Sequence, residues 1–213
     1  MAGKSRQNRQ ARKNASTGAV AKVKQSAGPL SVVSTDGKNT VLKVNLSKMR
    51  PPEKVYHANS FFLERRVGYS DLYFGLKNPA QRSGLLLHEV IVRMSHVSID
   101  KQIKEGHQDF YKPIFKSNPV TSEHKKEFSF DIEEQFNPSL YQIFDSNFVY
   151  ASHGTGIAEM MFYRISPSVM HKIGSGKEAV VPTGSGIEPQ ITVNMPLDLM
   201  SYVYDEILHG DSK

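Results

Sequence analysis

Cysteine is absent from all 213 residues, which removes disulfides, thiol nucleophiles and thiolate metal sites from consideration. Metal chemistry would have to rest on the eight histidines and the carboxylates. A long apolar run is missing too. Nothing approaches the roughly 18 uninterrupted apolar residues of a membrane helix, and the N-terminal stretch lacks the apolar centre of a secretory signal. The expectation is a cytoplasmic protein with no membrane partner. Apolar residues make up only 38% of the chain, enough for a modest core in one large domain or two small ones.

The most localised absence is that of acid from residues 1–28. That stretch carries Lys4, Arg6, Arg9, Arg12, Lys13, Lys22 and Lys24 and no Asp or Glu. The whole chain is at +6, with 27 basic and 21 acidic residues, so the arm holds +7 and the remainder, with 20 basic and 21 acidic residues, holds −1. The arm also lacks the apolar side chains that offset the roughly 1–2 kcal/mol per residue of backbone ordering. It is expected to be disordered when alone. Its seven cations suit the backbone of RNA or DNA, bound by counterion release without reading sequence. Arg6, Arg9, Arg12 and Lys13 would line one side of a helix formed against phosphates. A solubilising tail or an acidic protein partner are the competing readings.

After the arm, Leu30 to Leu46 reads as a hairpin about Asp36-Gly37, residue types that tolerate positive φ. Leu42, Val44 and Leu46 alternate with polar residues, and Pro51-Pro52 stops the strand. Strands are expected at Lys54–Phe62 and Asp71–Leu76, joined across a turn from Arg65 to Tyr69, and at Leu85–Met94. Ser95 or Ser98 then caps a short helix in which Ile99 and Ile103 fall four apart, with Gly106 at its end. Phe110, Tyr111, Ile114 and Phe115 supply apolar cover. At the C-terminal end, Pro196 opens a helix striped by Leu199, Val203 and Ile207, and Gly210 follows it.

The order of elements returns in the second half of the chain. Asn118 to Glu127 reads as the linker. Phe128, Phe130 and Ile132 then stand 86 residues after Leu42, Val44 and Leu46, and Val149-Tyr150 stands 94 after Val55-Tyr56. Glu159 and Phe162 stand 88 after Asp71 and Phe74, and Val193 and Met195 stand 101 after Val92 and Met94. The largest insertion, Gly174 to Pro189, is a flexible loop by composition. The predicted fold is α+β and strand-rich: two similar antiparallel sheet-plus-one-helix modules behind a disordered basic N-terminal arm, with boundaries 1–28, 29–117 and 118–213.

The repeated unit resembles a short bacterial domain of unknown function that opens with Tyr-Ala-Asn, reaches an acidic-apolar-x-Phe-Gly strand end, and closes with a strand, a Ser or Pro turn and one amphipathic helix. Tyr56, Ala58 and Asn59, then Asp71, Phe74 and Gly75, then Met94-Ser95 and the Ile99 helix carry the likeness. His57 is inserted before the Ala, and the second copy has Ser152 in the Asn position and Tyr163 in the Gly position. The resemblance implies a small strand-rich module with a helix, and no active site.

Chemistry finds little support. No histidine pair has ligand spacing within a helix. Ser152-His153-Gly154-Thr155-Gly156 lacks a nucleophile with a supporting acid and reads as a turn like that around Gly68. Gly174-Ser175-Gly176-Lys177 lacks the earlier glycine and the Ser or Thr of a phosphate loop. Tyr56, Phe61, Phe62, Tyr69, Tyr73 and Phe74 interleave with Arg65 and Arg66, as on a sheet that stacks single-stranded bases, although alternate aromatics of a strand face a core. The reading is a non-enzymatic binding or assembly protein with no catalytic residues, cofactor or metal. Its body mediates protein contacts or homo-oligomerisation, and the arm contacts nucleic acid. The alternatives are a coat protein of a small RNA virus with a genome-binding arm, and an enzyme with an unrecognised site.

Overall fold

Strands point successive side chains to opposite faces, and two strand sets, one mainly from each half of the chain, dominate the described residues. The fold is taken from a computed structural model, which describes residues 29–35, 40–77, 86–105, 108–129, 142–174, 180–181 and 186–210. Strands β1 (Leu30–Thr35) and β2 (Thr40–Val44) pair antiparallel as a hairpin, and β10 (Val180–Val181) adds to β1. Asp36-Gly37 lies outside the described residues. Leu46 opens a short 3-10 turn, Leu46–Lys48, and does not extend the strand.

The two main sheets have four strands each. One runs β4 (Ser60–Arg66), β5 (Tyr69–Lys77), β6 (Leu86–Ser95), β7 (Gln142–Ser146). The other runs β3 (Val55–His57), β11 (Ile187–Pro196), β9 (Ile157–Ile165), β8 (Phe148–His153). Three strands of each are antiparallel neighbours from one half. The fourth comes from the other half and pairs parallel: β7 on β6 and β3 on β11. The expectation of purely antiparallel modules is corrected on this point.

The fold is α+β and strand-rich. Helix α1 (His96–Ile99) is capped by Ser95, whose hydroxyl accepts from Ser98 N, and continues as a π-helical stretch, Asp100–Glu105. α5 (Leu197–His209) runs between Pro196 and Gly210, with Leu199, Val203 and Ile207 buried. Three helices exceed the one expected per half: α2 (Gln108–Ser117), α3 (Ser122–Phe128) and α4 (Pro167–Gly174). α3 occupies the expected linker. Thr121 caps it by accepting from His124 N, and Phe128 at its end is buried, so Phe128 does not begin a strand. Phe130 and Ile132 lie outside the described residues.

Two sequence matches survive in the register and one does not. Phe74 pairs with Val90 as Phe162 pairs with Ile191, and Leu72 with Val92 as Met160 with Val193, which fixes the offsets of 88 and 101. Gly68 and Gly156, again 88 apart, take φ of +83° and +77° in the two hairpin turns, a region glycine enters without a Cβ penalty. Val149-Tyr150, however, corresponds to Phe61-Phe62 and not to Val55-Tyr56. The reason is that Lys54–Phe62 is two strands. The chain leaves one sheet at His57 and enters the other at Ser60, and Asn59 stands at the crossing. Its counterpart in the second half is Asn147, not Ser152.

The main core lies on the inner faces of both sheets. Phe61, Leu72, Phe74, Val90, Val92 and Met94 meet Ala158, Met160, Phe162, Ile191, Val193 and Met195, with α1 and α5 packed in. Fully burying each large side chain is worth about 2 kcal/mol. A smaller cluster of Met49, Phe148, Tyr163, Ile165 and Val169 sits on the opposite face of the second sheet.

Candidate nucleic-acid interface

Lys4, Arg6, Arg9, Arg12, Lys13, Lys22 and Lys24 lie outside the described residues. The rest of the chain begins at Pro29, whose carbonyl accepts from Asn45 N at 2.8 Å. The other basic and aromatic candidates, on β3, β4 and β5, are all placed.

Alternation divides them between two environments. Phe61 and Phe74 point into the core, 5.2 Å apart by ring centroid. Tyr73, on the other face, is also buried. Its hydroxyl donates to Glu64 Oε2 at 2.7 Å, and burial first, then that bond, pushes its pKa well above the usual tyrosine value. Tyr56 turns toward the second half and meets Phe144 edge to face at 6.2 Å. Phe62 and Tyr69 are half-buried. No row of open aromatic faces is presented by these residues.

The arginines are equally committed. Arg65 Nη2 donates to Ile207 O, near the C-terminal end of α5, at 2.9 Å, where the helix dipole favours a cation. Cross-strand register brings Glu64, Asp71, Arg93 and Asp145 into one row over β4, β5, β6 and β7. Asp71, 1% exposed, accepts from Arg93 Nε at 2.8 Å and Nη2 at 2.9 Å. Arg66 bonds Glu64 at 2.8 Å and lies 3.6 Å from Asp71. The Arg93 guanidinium sits 4.5 Å over the Tyr69 ring. Its bonds to Asp71 hold its pKa above the ordinary arginine value. A bidentate pair on a buried carboxylate resists exchange for a phosphate.

The equivalent row of the second sheet is Ser152, Glu159, Asn194 and His57. Ser152 Oγ donates to Glu159 Oε2 at 3.1 Å, and Gly156 completes the turn that follows, as Gly68 does in the first sheet. Among the described residues no group of three or more His, Cys, Asp or Glu is placed to hold a metal ion, and no helix is long and apolar enough to cross a membrane. Gly174 ends α4, and Ser175, Gly176 and Lys177 lie outside the described residues.

Sequence reading singled out Asn59 but matched it to Ser152, and it missed Asn147 and the clamp that the two asparagines share. Asn59 Nδ2 donates to Lys77 O at 2.9 Å and Oδ1 accepts from Lys77 N at 2.7 Å. Asn147 does the same to Ile165, at 2.7 Å for both bonds. The signal was present: Asn59 and Asn147 share the offset of 88 with Phe74 and Phe162, and each precedes a run of strand-forming residues.

No family model, curated protein or solved structure matches this chain.

Proposed function

We propose that this is a non-enzymatic binding and assembly protein in which residues 1–28 hold RNA or DNA by its phosphates and the duplicated body makes protein contacts. The observation that carries the reading is the segregation of charge: +7 without an acid in the arm, against −1 in the remainder. The body's pairing pattern supports the same division, because Arg65, Arg66 and Arg93 are bonded to a helix-end carbonyl and to carboxylates. Cations already paired contribute little to a phosphate site, whereas seven unopposed ones release counterions. The repeated unit is, on this reading, a divergent pair of the bacterial domain it resembles.

The coat-protein reading shares the arm and the strand-rich body but calls for about eight strands in a jelly roll without duplication. Register repeated at fixed offsets in two sheets weighs against it. An enzyme would need converging polar groups with a nucleophile or base. Ser152, bonded to Glu159, lacks such a constellation among the described residues.

The experiment is binding of labelled RNA and DNA by the full chain and by a chain beginning at Pro29. Loss of most binding in the shorter chain is the expected result. Equal binding by both would refute the arm's role.

A further inference from the structure

We infer that the body carries a docking site for the arm of its own chain, at Glu159 on the outer face of the second sheet, where an arm lysine takes the place that Arg93 holds in the first sheet. The two polar rows correspond residue by residue. Ser152, Glu159 and Asn194 stand 88, 88 and 101 positions after Glu64, Asp71 and Arg93, in the same cross-strand register. The carboxylate is kept and its cation is not. Arg93 bonds Asp71 through two nitrogens, whereas its counterpart Asn194 is uncharged. Among the described residues Glu159 is bonded only by Ser152 Oγ, and Asn194 Oδ1 is buried without a donor. His57 stands two strands from Glu159, about 10 Å away at the backbone. The second row is therefore short of one cation and one donor. An ammonium group, with three N–H donors and no acceptor, supplies both.

The face around Glu159 is open on one side. Met49 and Val169 pack over its Tyr163 end, but Ile157 is 58% and Val55 51% exposed at the other, beside exposed His57 and Pro196. Ile157 stands 88 positions after Tyr69, the ring over which Arg93 lies, so the apolar stem of an incoming lysine has the corresponding surface to cover. The arm joins the body on this same face. Pro29 O accepts from Asn45 N, Lys48 N closes a turn on Asn45 O, and Met49 follows, packed with Phe148 and Tyr163. Glu159 is four residues from Tyr163 along β9, about 13 Å. Pro29 is thus within roughly 35 Å of Glu159, and Lys13, sixteen residues ahead of Pro29, reaches roughly 50 Å. Lys24, five residues ahead, reaches only roughly 17 Å. Arg9 and Arg12 flank Lys13, and the arm's +7 faces a remainder at −1. A lone exposed ion pair between separate molecules is weak. The tether offsets this by holding the arm at an effective concentration on the order of millimolar. Where the arm also holds phosphates, as proposed above, nucleic acid and Glu159 compete for the same lysine; the docking itself does not depend on that reading.

The test is carbodiimide coupling of the full chain without nucleic acid, followed by digestion and mass mapping of the joined peptides. The reagent activates a carboxylate, and an amine in contact displaces it to leave an amide. The expected product is a monomer in which Glu159 is joined to an arm lysine, chiefly Lys13, at several-fold higher yield than the exposed Glu188, with the excess lost as salt is raised. Equal coupling of arm lysines to Glu159 and Glu188, coupling of Glu159 only between two chains, or none at Glu159 overturns the proposal. Limited trypsin cleavage after Lys13 gives a second readout: it is several-fold faster in Glu159→Gln than in the native chain, and Glu159→Asp restores protection. An unchanged rate in a folded Glu159→Gln chain also overturns it. A chain with its four arm lysines replaced by arginine keeps the charge and an unaltered body, and is expected to lose the coupling at Glu159; persistence there would contradict the assignment. None of these readouts involves nucleic acid, so their failure is distinct from that of the arm experiment.

Discussion

Asn59 and Asn147, 88 residues apart, each clamp a strand residue 18 positions further on with the same two bonds, amide donor to carbonyl and amide carbonyl to N–H. Each stands where the chain leaves one sheet and enters the other. At each, the backbone N–H is also spent on the adjoining strand, on Gly75 O for Asn59 and Tyr163 O for Asn147. No other side chain of this size offers a donor and an acceptor in that geometry.

Replacing either asparagine by alanine leaves a part-buried N–H and carbonyl without partners, at a cost of about 1–3 kcal/mol. Asn59→Ala and Asn147→Ala are therefore expected to lower the urea midpoint by comparable amounts. Asn59→Asp, which keeps the acceptor and loses the donor, falls between Asn59→Ala and the native chain. A neutral effect at one site and a large one at the other would show that the two crossings are not equivalent.

Asp71 holds Arg93 and Arg66 together with only 2% of its side chain exposed, while 35% of the Arg93 side chain is open to solvent. Removing the charge in Asp71→Asn takes the carboxylate from Arg93, while Arg66 keeps its bond to Glu64. Because Arg93 is partly solvated, the cost is expected near the lower end for buried pairs, about 3 kcal/mol. A double variant with Arg93→Gln should lose less than the sum of the two single changes. Additive losses in equilibrium unfolding would mean that the pair is not coupled.

Buried tyrosines set the alkaline limit. Burial pushes the Tyr202 pKa up to about 12, with Glu206 and Asp205 adding to the effect, and raises those of Tyr73 and Tyr111 as well. In the unfolded chain these groups ionise near pH 10. The folded state then holds protons that the unfolded state has lost, so stability is full below about pH 10 and declines as pH rises toward the folded values. Each such tyrosine contributes a slope of about 1.4 kcal/mol per pH unit in that window. Denaturation midpoints between pH 8 and 11 should fall beyond pH 10, and less steeply in Tyr202→Phe. An unchanged slope in that variant would refute the assignment.

Local pattern revealed more of this fold than long-range pairing did. Val90, Val92 and Met94 alternate on one face because a strand has a period of two, and Leu199, Val203 and Ile207 stripe α5 because a helix has 3.6 residues per turn. Both were legible. The parallel pairing of β3 on β11 was not, since it joins Val55 to Thr192 and nothing near either residue encodes a partner so distant. Lys54 to Phe62 read as one strand, since no glycine or proline interrupts it. Only the bond from Ala58 N to Asn194 O and the clamp of Asn59 on Lys77 divide it. In the candidate interface, the interleaving of aromatics with Arg65 and Arg66 was visible, but their commitment to Ile207 O, Glu64 and Asp71 depends on which chains lie alongside. α3 was hidden because Glu123 to Glu127 is polar throughout and offers no apolar stripe until Phe128.

The most direct test of the division between arm and body is the salt dependence of nucleic-acid binding. Seven cations neutralising up to seven phosphates should give log K against log salt a slope of about −5 on a single strand and about −6 on a duplex. Replacing the seven arm lysines and arginines with glutamine in the full chain should bring the slope near zero. A slope that stays steep after that replacement would place the phosphate contacts on the body and contradict the account.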